Sequence, residues 1–188
     1  MPILPAEPEL YPDDLWDAGV PPPDPDRRWW CVHTRPRQEK VAARAFRKRG
    51  LSFYLPQVSQ AHRTPAGRTL RSLLPLFPGY LFLLGDDHQR VEAMKGGHLA
   101  NVLQVFDQEE LAHDLFQIQR MLRSGLPITP EPDYAVGSRV RILGGPLKGL
   151  EGTVVRRGNR DRIVAMVRFL GRGAMVDLAG WEVEPVQG

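Results

Sequence analysis

The sequence predicts an α+β protein: an N-terminal α/β sandwich built on a mainly antiparallel sheet flanked by helices, followed by a small five-stranded β-barrel. Three observations lead there. Strand-prone and helix-periodic segments alternate from Trp29 to Arg123. Short β-branched runs separated by glycine turns fill the chain from Tyr134 onward. Pro127, Pro130 and Pro132 divide the two regions with a short, stiff connection. At 188 residues, with 18 Pro and 18 Gly unevenly spread, the chain has room for two small domains better than for one core. The expected boundaries are a disordered tail over 1–28, a first domain over 29–125, a linker over 126–133 and a barrel over 134–188.

The tail is expected from its composition. Eight prolines and seven acids among the first 28 residues bury too little apolar surface to offset chain entropy. From Trp29 the run Trp-Trp-Cys-Val-His-Thr is strand-prone and stops at Pro36. Gln38 to Arg49 reads as a helix with Val41, Ala42, Ala45 and Phe46 on its apolar face and Gly50 as its stop. Strand character resumes from Leu51 to Leu55. The polar stretch from Gln57 to Ser72 reads as a long hairpin or exposed loop carrying Arg63, Arg68 and Arg71. Leu73 to Leu84 is nearly all apolar, and alternation puts Tyr80 and Phe82 on one face and Leu81 and Leu83 on the other. A short helix over Asp87 to Met94, a turn at Gly96-Gly97 and a strand over Val102 to Phe106 follow. Asp107 with Glu110 opens a further helix, marked by Leu111, Leu115, Ile118 and Leu122, that ends at Arg123. The barrel strands are expected over Arg139 to Leu143, Gly152 to Arg157, Arg162 to Phe169, Ala174 to Leu178 and Trp181 to Val183.

Composition excludes several function classes. No apolar run approaches the roughly 20 residues of a spanning helix, and the N-terminus lacks the basic start and apolar core of a secretory signal, so a cytoplasmic protein without membrane contact is expected. One cysteine, Cys31, permits neither an intrachain disulfide nor a cysteine-rich zinc site. His33, His62, His88, His98 and His113 have no metal-ligand spacing, and no phosphate-binding glycine loop is present. No enzyme activity, metal or cofactor is therefore expected. The net charge of +3 conceals an asymmetry: Arg35 to Arg71 holds ten Lys or Arg against one acid, Glu39. Such a field suits nucleic acid or an acidic protein surface.

Two motifs carry a resemblance. Pro75-Leu76-Phe77-Pro78-Gly79-Tyr80-Leu81-Phe82 resembles the signature of the N-terminal domain of the NusG family of transcription elongation and antitermination factors. Val136-Gly137-Ser138-Arg139-Val140-Arg141-Ile142, with Gly145-Pro146-Leu147-Lys148-Gly149 and Gly152-Thr153-Val154-Val155, is similar to that family's KOW motif, which implies an SH3-like barrel. The resemblance spans roughly residues 29 to 186. It implies docking onto the clamp of RNA polymerase by Cys31, His33, Phe77, Tyr80 and Phe82. It implies contact with the non-template DNA of the transcription bubble by Arg35, Arg37, His88, Arg90, Lys95 and His98. The KOW loop, with Gly145, Pro146, Lys148, Gly149 and Gly152, is mostly turn architecture, and the barrel is expected to recruit a ribosomal protein or Rho. The expectation is a monomer that suppresses pausing or termination, either as a general factor or as a specialised, RfaH-like paralogue. A ribosome-associated RNA-binding KOW protein is the alternative.

Overall fold

Large apolar side chains at consecutive positions from Arg28 to Thr34 make a strand that is buried on both faces, and the first sheet is organised around it. In the computed structural model, residues 8–63, 65, 67–131, 139–157, 160–167, 170, 172–177 and 183–186 are described. By contacts the chain divides into two units, Met1–Gln108 and Glu109–Gly188. No described helix is long and apolar enough to cross a membrane.

The first unit runs β1 (Leu10–Tyr11), β2 (Arg28–Thr34), α1 (Glu39–Lys48), β3 (Ser52–Tyr54), β4 (Gln57–Arg63), β5 (Thr69–Pro75), β6 (Tyr80–Gly85), α2 (Asp87–Met94) and β7 (Leu99–Gln104). Five of these strands form a sheet in the order β1-β3-β6-β2-β7, with every described pairing antiparallel. One face of it carries Trp30, Val32, Phe53, Leu81 and Leu83, which form a core with Ala42, Ala43 and Phe46 of α1 and Ala93 of α2. Phe46 meets Phe53 edge-on, with ring centroids 6.1 Å apart. The buried face of α1 is Ala42, Ala43 and Phe46, while Val41 and Ala45 sit at its margin, a rotation of the expected stripe by about one residue. Helix α2 spans the expected residues and opens on a capping box in which Asp86 and Gln89 exchange side-chain-to-backbone hydrogen bonds.

Three expectations are corrected in this unit. The expected tail is anchored at two points instead of being free throughout: Leu10 and Trp16 are buried and β1 pairs with β3. Its few apolar side chains reach a sheet face that needs covering. The run Leu73 to Leu84 is not one strand, because β5 pairs with β4 in a separate hairpin, leaving Leu73 and Leu74 exposed, and β6 starts only after the Pro78-Gly79 turn. Phe106 lies beyond the end of β7 and is 88% exposed.

The second unit contains α3 (Gln108–Arg123, all but its first residue), β8 (Thr129–Glu131), β9 (Arg139–Ile142), β10 (Glu151–Arg157), β11 (Arg160–Val167), β12 (Arg172–Asp177) and β13 (Val183–Pro185). Among the described residues the strands form one antiparallel six-stranded sheet, β13-β9-β10-β11-β12-β8. Part of the expected linker is therefore strand: Pro130 faces Ala174 on β12, an edge position where a missing N–H costs no ladder bond. On α3 Leu111, Leu115, Ile118 and Met121 are buried, and Leu122 is only half-buried. Val136, Gly137, Ser138, Phe169, Leu178 and Trp181, which belong to the expected barrel, lie outside the described residues.

Candidate functional site

Side chains alternate along β2, so Trp29, Cys31 and His33 point away from α1 and α2, and the register sets them beside Leu84, Phe82 and Tyr80 of β6. Tyr54 of β3 joins this far face opposite Phe82. The expectation that all five predicted docking residues share one accessible patch is corrected by their burial. Cys31, Phe77 and Phe82 are core side chains in this conformation, and only His33 and Tyr80 are partly accessible. Phe77, from the chain entering β6, meets Phe82 edge-on at 6.3 Å between centroids. Burial pushes the Cys31 thiol up to about 12, so it stays protonated and inert as a nucleophile. His33 and Tyr80 stack on each other, 5.0 Å between centroids and 20° between planes.

The Pro78-Gly79 turn positions this pair. Tyr80 N–H donates to the Phe77 carbonyl at 3.0 Å, Pro78 fills the second turn position and Gly79 the third with φ +86°, the left-handed value that favours glycine in a type II turn. Gly79 N–H then donates to Oε1 of the buried Glu39 at 2.7 Å, and its carbonyl accepts from Thr34 N–H at 2.8 Å. One dipeptide thereby ties the end of β2 and the first turn of α1 to the start of β6. Residues 27–110 match a family model described as the transcription termination factor nusG.

Residues 27–110 are thus similar to the NusG family.

No curated protein matches the chain. Within the matched stretch, the predicted nucleic-acid residues fall into two groups. Arg35 and Arg37 are exposed in a turn closed by the Gln38 N–H donating to the Arg35 carbonyl at 3.1 Å. Arg37 has φ +61°, an uncommon conformation for a residue with a Cβ. The Arg35 N–H donates to the His98 carbonyl at 2.9 Å, which brings half-buried His98 beside this turn. On α2, exposed His88 lies in the first turn. Arg90 lies over the Trp30 ring, 5.2 Å from its centroid, and pairs with Asp87 at 3.3 Å, while Lys95 pairs with Glu92. Arg90 and Lys95 are thus already engaged by neighbours on their own helix.

In the second unit Gly145 and Gly149 have φ of +75° and +79°, and Gly149 N–H donates to the Ile142 carbonyl at 2.7 Å while Leu147 and Leu150 are buried. The predicted loop is a compact turn whose Lys148 is exposed at its tip, with exposed Pro146 and half-buried Gly152 flanking it. The Lys148 carbonyl accepts from the Arg120 guanidinium of α3. Beside this loop Arg141 donates to Glu151 at 2.6 Å and to Glu184 at 3.4 Å. The hydrogen bond from Arg141 holds the Glu151 carboxyl below its ordinary value and raises the Arg141 value in turn.

Sequence reasoning missed three residues that shape this domain. Glu39 was counted only as the lone acid of a basic run. The Gln108 side chain accepts from Trp29 N–H at 2.6 Å and donates to the Trp29 and Val105 carbonyls, serving β2 as one more strand residue would. Trp16 was assigned to the tail, although a tryptophan among prolines and acids, six residues after Leu10, is the signal that would have marked it.

Proposed function

We propose that this chain is a non-catalytic transcription elongation factor that docks on the clamp of RNA polymerase through the far face of its NusG-family domain. The family match over residues 27–110 is the observation that carries this reading. The half-buried His33–Tyr80 stack supports it, because an aromatic pair at the margin of a buried face is the arrangement that anchors commonly take in protein interfaces. Binding across the clamp favours the closed, active conformation by differential affinity and so suppresses pausing or termination, with no group in the chain reacting. Arg35 and Arg37 lie beside the non-template DNA and attract phosphates without reading bases, a contact that weakens steeply with salt. The strain of Arg37 in the left-handed region fits a residue held in place for binding. The second unit, as a KOW-like module, recruits a ribosomal protein or Rho, with Lys148 at the accessible tip of its loop.

Titration of purified RNA polymerase with the Tyr80→Ala chain tests the docking face. A loss of about 2 kcal/mol, roughly thirtyfold in affinity, is expected with melting temperature retained. Unchanged affinity removes the far face from the interface.

A further inference from the structure

Residues 8–26 lie outside the matched stretch, yet Trp16 among them packs on the far face of the matched domain. Strand β1 adds to the edge of β3, with Leu10 opposite Tyr54 and Tyr11 opposite Phe53, and Leu55 N–H donates to the Glu9 carbonyl at 2.6 Å. Successive turns, closed by Leu15 N–H to Pro12, Asp17 N–H to Asp14 and Gly19 N–H to Trp16, then carry Trp16 over the sheet. Its indole stacks on Trp29 with centroids 5.5 Å apart and 7° between planes, and it meets Tyr54 edge-on at 5.5 Å. Trp29 belongs to β2 and Tyr54 to β3, and β6 runs between those strands. The indole therefore lies across β6, on the side to which Phe82 and Leu84 point.

The segment's attachments include two residues paired in the sheet, an exposed ion pair from Asp13 to Arg47 at 3.3 Å, and Tyr11 beneath the Arg47 guanidinium. Its return path over Pro22–Arg27 is exposed, and Asp13, Asp14 and Asp17 face solvent. One large aromatic seated on an apolar face, carried by an acidic and proline-rich chain, has the chemistry of a docked peptide.

We propose that residues 8–20 are an intramolecular strap that occupies the polymerase-docking face, with Trp16 sitting where an apolar anchor side chain of the partner's helix sits in the complex. The proposal rests on the reading of the chain as a polymerase-binding factor. An occupant that must leave first reduces apparent affinity to the fraction of molecules whose face is open. Weakening the strap therefore strengthens binding, the opposite of what loss of a contact residue does.

The full chain and its Trp16→Ala variant are titrated with RNA polymerase, with thermal unfolding run on both, and hydrogen exchange is followed in the unmodified chain with and without polymerase. Trp16→Ala is expected to bind roughly tenfold or more tightly. In the unmodified chain the amides of residues 10–17 and of Leu55 are expected to exchange faster in the complex than alone. Retained protection at those amides in the complex overturns the strap, even where Trp16→Ala fails to fold, and so does equal or weaker binding by a folded variant. Failure of the unmodified and variant chains alike to bind polymerase overturns the functional reading itself, and the strap with it.

Discussion

Trp29 and Trp30 are neighbours on one strand and almost equally buried, but they lie on opposite faces of the sheet and meet different kinds of neighbour. Trp30 faces the helices: its indole N–H donates to the Gly85 carbonyl at 3.1 Å, Arg28 and Arg90 lie over its ring, and it belongs to the cluster built by α1 and α2. Trp29 faces the other way, and the Trp16 indole, from a segment with a two-residue strand, stacks on it. Equal burial thus conceals unequal permanence. A side chain covered by elements with their own hydrogen-bonded cores stays covered, whereas one covered by a short strap is held only as firmly as the strap.

That contrast breaks most visibly on the helix side. Phe46→Ala empties a position beneath Phe53 and is expected to cost about 3–5 kcal/mol in denaturant unfolding; a cost below 1 kcal/mol erases the distinction between the two faces. Glu39→Ala sharpens the comparison from the turn that links them. It leaves the part-buried Gly79 N–H without its carboxylate and is expected to cost about 1–3 kcal/mol. It also loosens the His33–Tyr80 stack, visible as altered near-ultraviolet circular dichroism. A spectrum that is unchanged in a destabilised variant disconnects the turn from the stack.

The smallest effect belongs to the second unit, where electrostatics replaces packing. Glu151→Gln is expected to cost up to about 1 kcal/mol at neutral pH, because its partners Arg141 and Arg139 are about half exposed. The sign with pH follows from the lowered carboxyl. Its contribution is complete above the ordinary value of 4.5 and is lost as pH falls through the depressed folded value. The stability difference between wild type and Glu151→Gln should therefore shrink in acid; a difference constant from pH 7 to pH 3 contradicts the ion-pair assignment.

Much of the first unit was legible in local pattern. Helix α2 falls on its expected residues, α1 differs by one residue at each end, and Pro78-Gly79 punctuates the chain where a type II turn forms, since these depend on caps, breakers and periodicity within a few residues. The alternation of Cys31, His33, Tyr80 and Phe82 correctly grouped them on one face. It was silent on what lies above that face, because alternation reports the side of a sheet and carries no information about its cover. A hairpin was one of the two forms open for the stretch that became β4 and β5, but the split of Leu73 to Leu84 between two sheets was not readable, since both halves are equally apolar.

What the sequence determined alone is therefore local: strand and helix identity, the turn residues, the basic charge of the stretch after Arg35 and the two motifs. Tertiary structure decided which apolar residues are sealed, that Glu39 reaches across 40 positions to Gly79, and that a tryptophan in an acidic, proline-rich segment stacks on the sheet. Composition predicted disorder there because it averages over residues, while burial is won by single side chains that find a matching surface at long range, which no local window contains.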